Sequence, residues 1–179
     1  MNARSSCLVL LLASLAGAMA AAQDPSEAEL AVTDALANLP RYVQWPEGAF
    51  VIDKTPLMVG VYGRSKIHKA LFNAVHGKII NGRRVMVRRF SWPQRPNAHV
   101  LFIAKSERCR LAWIMRKVQH STTLTVSEFD DFLPYGGIVR MSMKEGKVRF
   151  HVNVTVAKDV GLRFSSKFLG VAEQVVGEP

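Results

Sequence analysis

His99-Val100-Leu101-Phe102-Ile103-Ala104, taken together with the residues up to Val126, is the stretch on which the fold turns. The run is apolar at successive positions, which suits a central strand covered on both faces. Ser106 then precedes Leu111, Ile114, Met115 and Val118 at helical spacing, and Thr122 to Val126 returns to the β-branched character of a strand. Strand, helix and strand in that order predict a parallel crossover unit, because a tight turn cannot join parallel neighbours.

Upstream, Leu57 to Tyr62 is another apolar run, closed by Gly63 and followed by Ser65 and then Ile67, Leu71 and Val75 up to Gly77. That pattern predicts a strand, a cap and a helix. Asn81-Gly82 marks a turn before Val85 to Phe90, a strand with basic residues on both faces. At the start, Ser26 with Glu29 forms a capping-box pattern ahead of Val32, Leu36, Leu39 and Val43, so an amphipathic helix is expected to run to about Trp45, before Pro46. Downstream, Gly137 to Met143 and Val148 to Val154 flank Lys144-Glu145-Gly146-Lys147 and predict a hairpin. Ser165-Ser166 ahead of Phe168, Leu169, Ala172 and Val176 predicts a closing helix. The expected architecture is a single α/β domain over residues 23–179. It is a three-layer sandwich with a mostly parallel sheet, flanked by helices and carrying a terminal antiparallel β-hairpin.

Residues 1–22 predict an export signal. Arg4 supplies a positive start, Cys7 to Met19 is uncharged and apolar, and the small residues around Ala20 and Ala22 offer the cleavage positions. The apolar run is shorter than the roughly 20 residues a membrane-spanning helix needs. Without Arg4, 23 basic side chains face 14 acidic ones, a net charge of +9. The excess belongs to residues 64–117, with 14 Lys or Arg against Glu107 alone. In an exported protein this field favours acidic proteins or anionic lipid head groups, and nucleic acid is not an expected partner. Only Cys109 remains after the leader, so no internal disulfide is expected, and Cys109 reads as a small buried residue on a helix.

Catalytic patterns are absent from the sequence. There is neither Gly-x-Ser-x-Gly nor a Gly-x-x-x-x-Gly-Lys loop, and Asp130-Asp131 reads as turn chemistry. His68 and His76 are too far apart on one helix to share a metal, while His99, His120 and His151 stand alone. No cofactor, metal site or enzyme activity is expected. Asn153-Val154-Thr155 fits a glycosylation acceptor, but at a strand end. Arg83, Arg84, Arg88 and Arg89 concentrate guanidinium groups that suit clustered carboxylates, and they are the candidate partner interface. Trp45 is a further candidate anchor if exposed, although a Trp at a helix end more often belongs to the core. An alternative function, a small-ligand-binding domain, would use a crevice at the strand ends marked by Gly63, Ala104 and Ser127.

The residues in their order also resemble a known family, the YfiR-like (DUF4154) periplasmic proteins. The resemblance rests on Tyr42-Val43-Gln44-Trp45-Pro46, Val59-Gly60-Val61-Tyr62-Gly63, Ile80-Asn81-Gly82-Arg83 before Val87-Arg88-Arg89, and His99 to Ile103 with Ser106-Glu107. It continues through Leu124 to Ser127, Gly136-Gly137-Ile138, Val148-Arg149-Phe150 with Asn153, and Gly161-Leu162 with Ser165 to Leu169. It implies a regulator in the periplasm of a Gram-negative bacterium. Such proteins bind the periplasmic region of a membrane-bound diguanylate cyclase, repress it, and lower cyclic di-GMP and biofilm growth. An outer-membrane OmpA-like lipoprotein can sequester the repressor, other members accompany a sensor kinase or TonB-dependent receptor, and a homodimer is a further expectation. The relatives' disulfide cysteines are missing here, with Ala98 before His99 and no cysteine from Asp130 to Met143.

Overall fold

The structure is a computed structural model that describes residues 25–52 and 54–177. The leader expected over residues 1–22, with Ala20 and Ala22, lies outside the described residues. Ser26 opens α1 (Glu27–Asn38) with a complete capping box: its Oγ accepts from the Glu29 N–H, and its own N–H donates to the Glu29 carboxylate at 2.8 Å. The helix stops at Asn38, short of Trp45. Pro40 has no N–H to continue the ladder, so Leu39–Tyr42 tightens into a 3-10 turn before β1 (Val43–Gln44).

The chain continues through β2 (Leu57–Tyr62), α2 (Ile67–Val75), β3 (Ile79–Ile80), β4 (Arg83–Phe90) and β5 (Val100–Ile103). A 3-10 segment, Lys105–Arg110, leads into α3 (Leu111–Val118) and β6 (Leu124–Ser127). The expected hairpin is β7 (Val139–Lys144) with β8 (Lys147–Asn153). Then comes α4 (Val154–Asp159), a helix the strand-like valines concealed. Asn153 caps it by accepting from the Val156 N–H at 3.1 Å.

Beyond β9 (Arg163–Phe164), the expected closing helix is a single turn, α5 (Ser166–Leu169), capped by Ser165. The remainder becomes β10 (Gln174–Val176), parallel to β8. Helical spacing of Ala172 and Val176 lost to the sheet edge, where β8 offered unpaired backbone groups to a β-branched pair, Val175-Val176.

The main sheet has eight strands in the order β10-β8-β7-β6-β5-β2-β4-β3, antiparallel only at β7–β8 and β3–β4. β1 and β9 form a separate antiparallel pair. One face of the main sheet packs Val59, Val61, Val87, Phe102 and Val126 beneath α1 and α2, with Leu36 and Leu71 fully buried. The other packs Tyr62, Phe90, Leu101 and Ile103 beneath Leu111 and Ile114 of α3 and Phe132. Each such side chain contributes about 1.5–3 kcal/mol by leaving water. The sandwich is the one expected, with both faces of the central strands covered.

Two glycines mark places where the second face closes tightly. A Cβ on Gly60 would stand 2.8 Å from the Phe90 ring, and one on Gly63 would stand 2.5 Å from Glu107 Cγ. Gly63 also has φ +96°, in the left-handed region. Gly63→Ala should therefore destabilise the fold by about 2–3 kcal/mol. Gly146→Ala in the hairpin turn, where φ is +71° and nothing lies within 4 Å of the new Cβ, should cost only about 1 kcal/mol. Urea unfolding of both variants checks the difference.

Candidate functional site

The strand ends expected to form a ligand crevice are filled. Ser106 Oγ accepts from the Arg64 N–H at 2.9 Å and donates to Glu107 Oε1 at 3.3 Å, and Glu107 is only 7% exposed. Ala104 and Ser127 are buried, and the Ser127 hydroxyl donates to the Ile103 carbonyl at 2.8 Å. The protein's own side chains thus occupy the switch point between β2 and β5, which corrects the expectation at Gly63, Ala104 and Ser127.

A concavity exists elsewhere, beside Trp45. The β1–β9 pair brings Trp45 and Pro46 against the loop after α4, where Gly161 (φ +79°) leaves a position whose Cβ would be 3.0 Å from Pro46. The resulting cleft holds about 720 Å³ and is lined by Gln44, Trp45, Pro46, Leu162, Phe164 and Leu169, with Lys158 and Arg163 at its polar positions. Trp45 is half-buried, and its Nε1–H is buried with no hydrogen-bond partner among the described residues. On the other side of Trp45 and Pro46 a second cleft of about 510 Å³ is lined by Phe50, Ile80, Asn81 and Arg83.

The four arginines do not form one surface. Arg83 turns inward: its guanidinium sits 3.9 Å over the Phe50 ring and donates to the carbonyls of Thr55 at 3.0 Å and Ile52 at 3.3 Å. Its guanidinium is thus engaged within the chain while the residue stays partly exposed. Pleating separates the rest, with Arg84 and Arg88 on the α3 face beside Phe90, and Arg89 on the α2 face with Val85 and Val87. All three are exposed. Beyond Arg84 no strand pairs with the outer edge of β4 among the described residues; the Val85 N–H is taken by Lys78 O and the Val87 N–H by His76 Nδ1.

Phe50 and His99 are the residues that sequence reasoning missed as a unit. His99 Nδ1 accepts from the Met58 N–H at 3.0 Å, which leaves Nε2–H to donate to the Ala49 carbonyl at 3.2 Å, and the imidazole stacks on Phe50 with centroids 4.4 Å apart. Arg83, Phe50 and His99 thereby fasten the loop after Trp45 to β4 and β5. Burial holds the His99 imidazole below its usual pKa; the Ala49 carbonyl opposes this and the Arg83 charge adds to it. His68 is also depressed, first by burial and then by Arg89.

Cys109 is exposed, not buried, because its segment is a 3-10 turn that directs Glu107 inward instead. Arg108 donates from Nη2 to Asp131 Oδ2 at 2.8 Å, with its Nη1 2.7 Å from Oδ1 as an ion-pair contact, and Asp130 pairs with Arg140 at 2.6 Å. Among the described residues no group of three His, Cys, Asp or Glu is placed to hold a metal ion, and no helix is long and apolar enough to cross a membrane.

The family model described as YfiR/HmsC-like (DUF4154) matches residues 31–173, a span that includes the Trp45 cleft, the arginine strand and the filled strand ends. The chain belongs to that family. No curated protein matches it. A solved structure, a conserved domain protein from Vibrio cholerae O1 biovar El Tor str. N16961, is similar to this YfiR-like chain with TM-score 0.53 and 10% identity. The likeness covers 86% of the YfiR-like chain but 61% of that structure, so this protein spans about three fifths of its length. At this identity the likeness is one of fold.

The partly buried imidazole gives this YfiR-like domain an acid-side liability. The unfolded chain takes up a proton at His99 near its ordinary pKa of 6.5, whereas the folded chain resists it, so stability is full above that pH and falls as pH drops below it. His68 acts in the same direction. Urea unfolding between about pH 5 and 8 should show this slope, and His99→Gln should flatten it while lowering stability at neutral pH by about 1–2 kcal/mol.

Proposed function

We propose that this protein is an exported regulator that binds the periplasmic region of a membrane signalling protein, and that its action is to repress a diguanylate cyclase and lower cyclic di-GMP. Membership of the YfiR/HmsC-like family across residues 31–173 is the observation that carries the reading. The surface is in keeping with it. Arg89 stands exposed near the open end of β4, with no carboxylate partner among the described residues. An acidic segment of the sensor region laid along this edge would meet the Arg89 guanidinium. An OmpA-like lipoprotein competing for the same regulator, and a homodimer, belong to the same reading.

A second reading has its own observation, the 720 Å³ cleft at Trp45 with an unpartnered indole N–H and two cations at its polar positions. This suits a small apolar ligand with an acceptor group, as in a ligand-binding domain serving a sensor kinase or a TonB-dependent receptor system.

Deletion of the gene should raise cyclic di-GMP, and complementation with Arg89→Glu should fail to restore it if the folded variant is present at normal levels. Unchanged cyclic di-GMP on deletion would reject the repressor reading. Thermal-shift screening with small apolar acids, compared between the native chain and Trp45→Phe, separates the second reading from the first.

A further inference from the structure

Cation–aromatic pairs recur on the α3 face of the sheet. The Arg88 guanidinium is 5.1 Å from the Phe90 ring centre, that of Arg110 is 5.7 Å from Trp92, and Lys117 Nζ is 5.3 Å from Trp113. Beside them, Met58 and Met86 are neighbours in register, both half-covered, and Trp113 packs on the same cluster. Trp92 is 56% exposed in the loop between β4 and β5.

Counter-charge is scarce on this face. Arg84, Arg88, Arg95, Arg116 and Lys117 have no carboxylate partner among the described residues, and Arg110 pairs with Glu107, which is itself buried. The patch therefore combines several unneutralised cations with a protruding indole and half-covered thioethers.

We propose that this face rests on an anionic phospholipid surface, with Trp92 entering the headgroup layer and Arg84, Arg88 and Lys117 over the phosphates. A bilayer supplies what the patch asks for. Its negative charge is diffuse and does not require fixed partners, and its interfacial layer accepts an indole with one apolar and one polar side. Long Lys and Arg side chains adjust to such a surface by extending their heads to the phosphates. A protein partner would instead need carboxylates placed to match cations spread over a strand, a loop and a helix. The inference goes beyond the regulator reading and holds whichever protein that regulator meets. Its consequence is to hold the chain at the membrane, where a membrane-embedded partner would be found by a two-dimensional search.

The chain expressed from residue 23, which retains every described element and both core clusters, can be co-sedimented with vesicles. It should bind mixed phosphatidylglycerol–phosphatidylcholine vesicles at low salt, and should lose that binding on pure phosphatidylcholine and at high salt. Arg84→Glu with Arg88→Glu should weaken partitioning at least about tenfold, since each cation near such a surface is worth about fivefold. Trp92→Ala should weaken it severalfold. Lys69→Glu with Lys78→Glu makes the same charge change on and just after α2 and should leave it near the native level, with thermal unfolding confirming that each variant is folded. Absence of vesicle binding, equal binding to neutral vesicles, equal loss in the α2-face variant, or capture of a detergent-solubilised sensor by this face without any vesicle binding would each overturn the proposal.

Discussion

A strand without polar side chains must be covered from both sides, and β5 imposes that demand on the whole molecule. Val100, Leu101, Phe102 and Ile103 are all at most 1% exposed. Alternate residues of this strand feed the two core clusters, so neither α1 and α2 nor α3 can be removed without exposing half of it. β2 and β6, its parallel neighbours, inherit the same double cover. The hairpin and β10 extend the sheet away from this centre, toward solvent, and their burial falls accordingly.

Covering both faces leaves polar groups that need partners, and the loops supply them. The Met58 N–H at the edge of β2 finds His99 Nδ1, the Val87 N–H finds His76 Nδ1, and the Ile138 N–H finds Thr125 Oγ1. Glu107 occupies the switch point of the sheet, with Ser106 and Arg110 around it. A fold whose strand-end crevice is closed by its own carboxylate has moved its concave surface elsewhere, to the joint between β1, β9 and the loop after α4. That joint depends on the first-helix proline, because an unbroken helix through Tyr42 would carry Val43 and Gln44 past the strand they pair with.

The basic middle of the chain divides by geometry into several roles. Arg108 and Arg110 are paired to acids, Lys105 to Glu128, and Arg83 is spent on Phe50 and two carbonyls. The exposed arginines of β4, Arg84, Arg88 and Arg89, sit on its two opposite faces, so a run that reads as one block in sequence is two surfaces in space. Strand pleating alone causes the division.

The sequence by itself determined the α/β class, the parallel crossover around β5, the hairpin of β7 and β8, the capping box at Ser26 and, through ordered short motifs, the family. These are local signals: periodicity, caps and turn residues act within a few positions, and so they survive being read in one dimension. The tertiary structure alone decided that Gln174 to Val176 joins the sheet, that Cys109 faces outward while Glu107 faces in, and that Arg83 turns onto Phe50. It also decided that Phe50 links Arg83 to His99. Each of these depends on which distant group stands opposite, whether an unpaired strand edge, a glycine without a Cβ or a ring at the right height. Such neighbours are set by the packing of layers and leave no mark in local spacing.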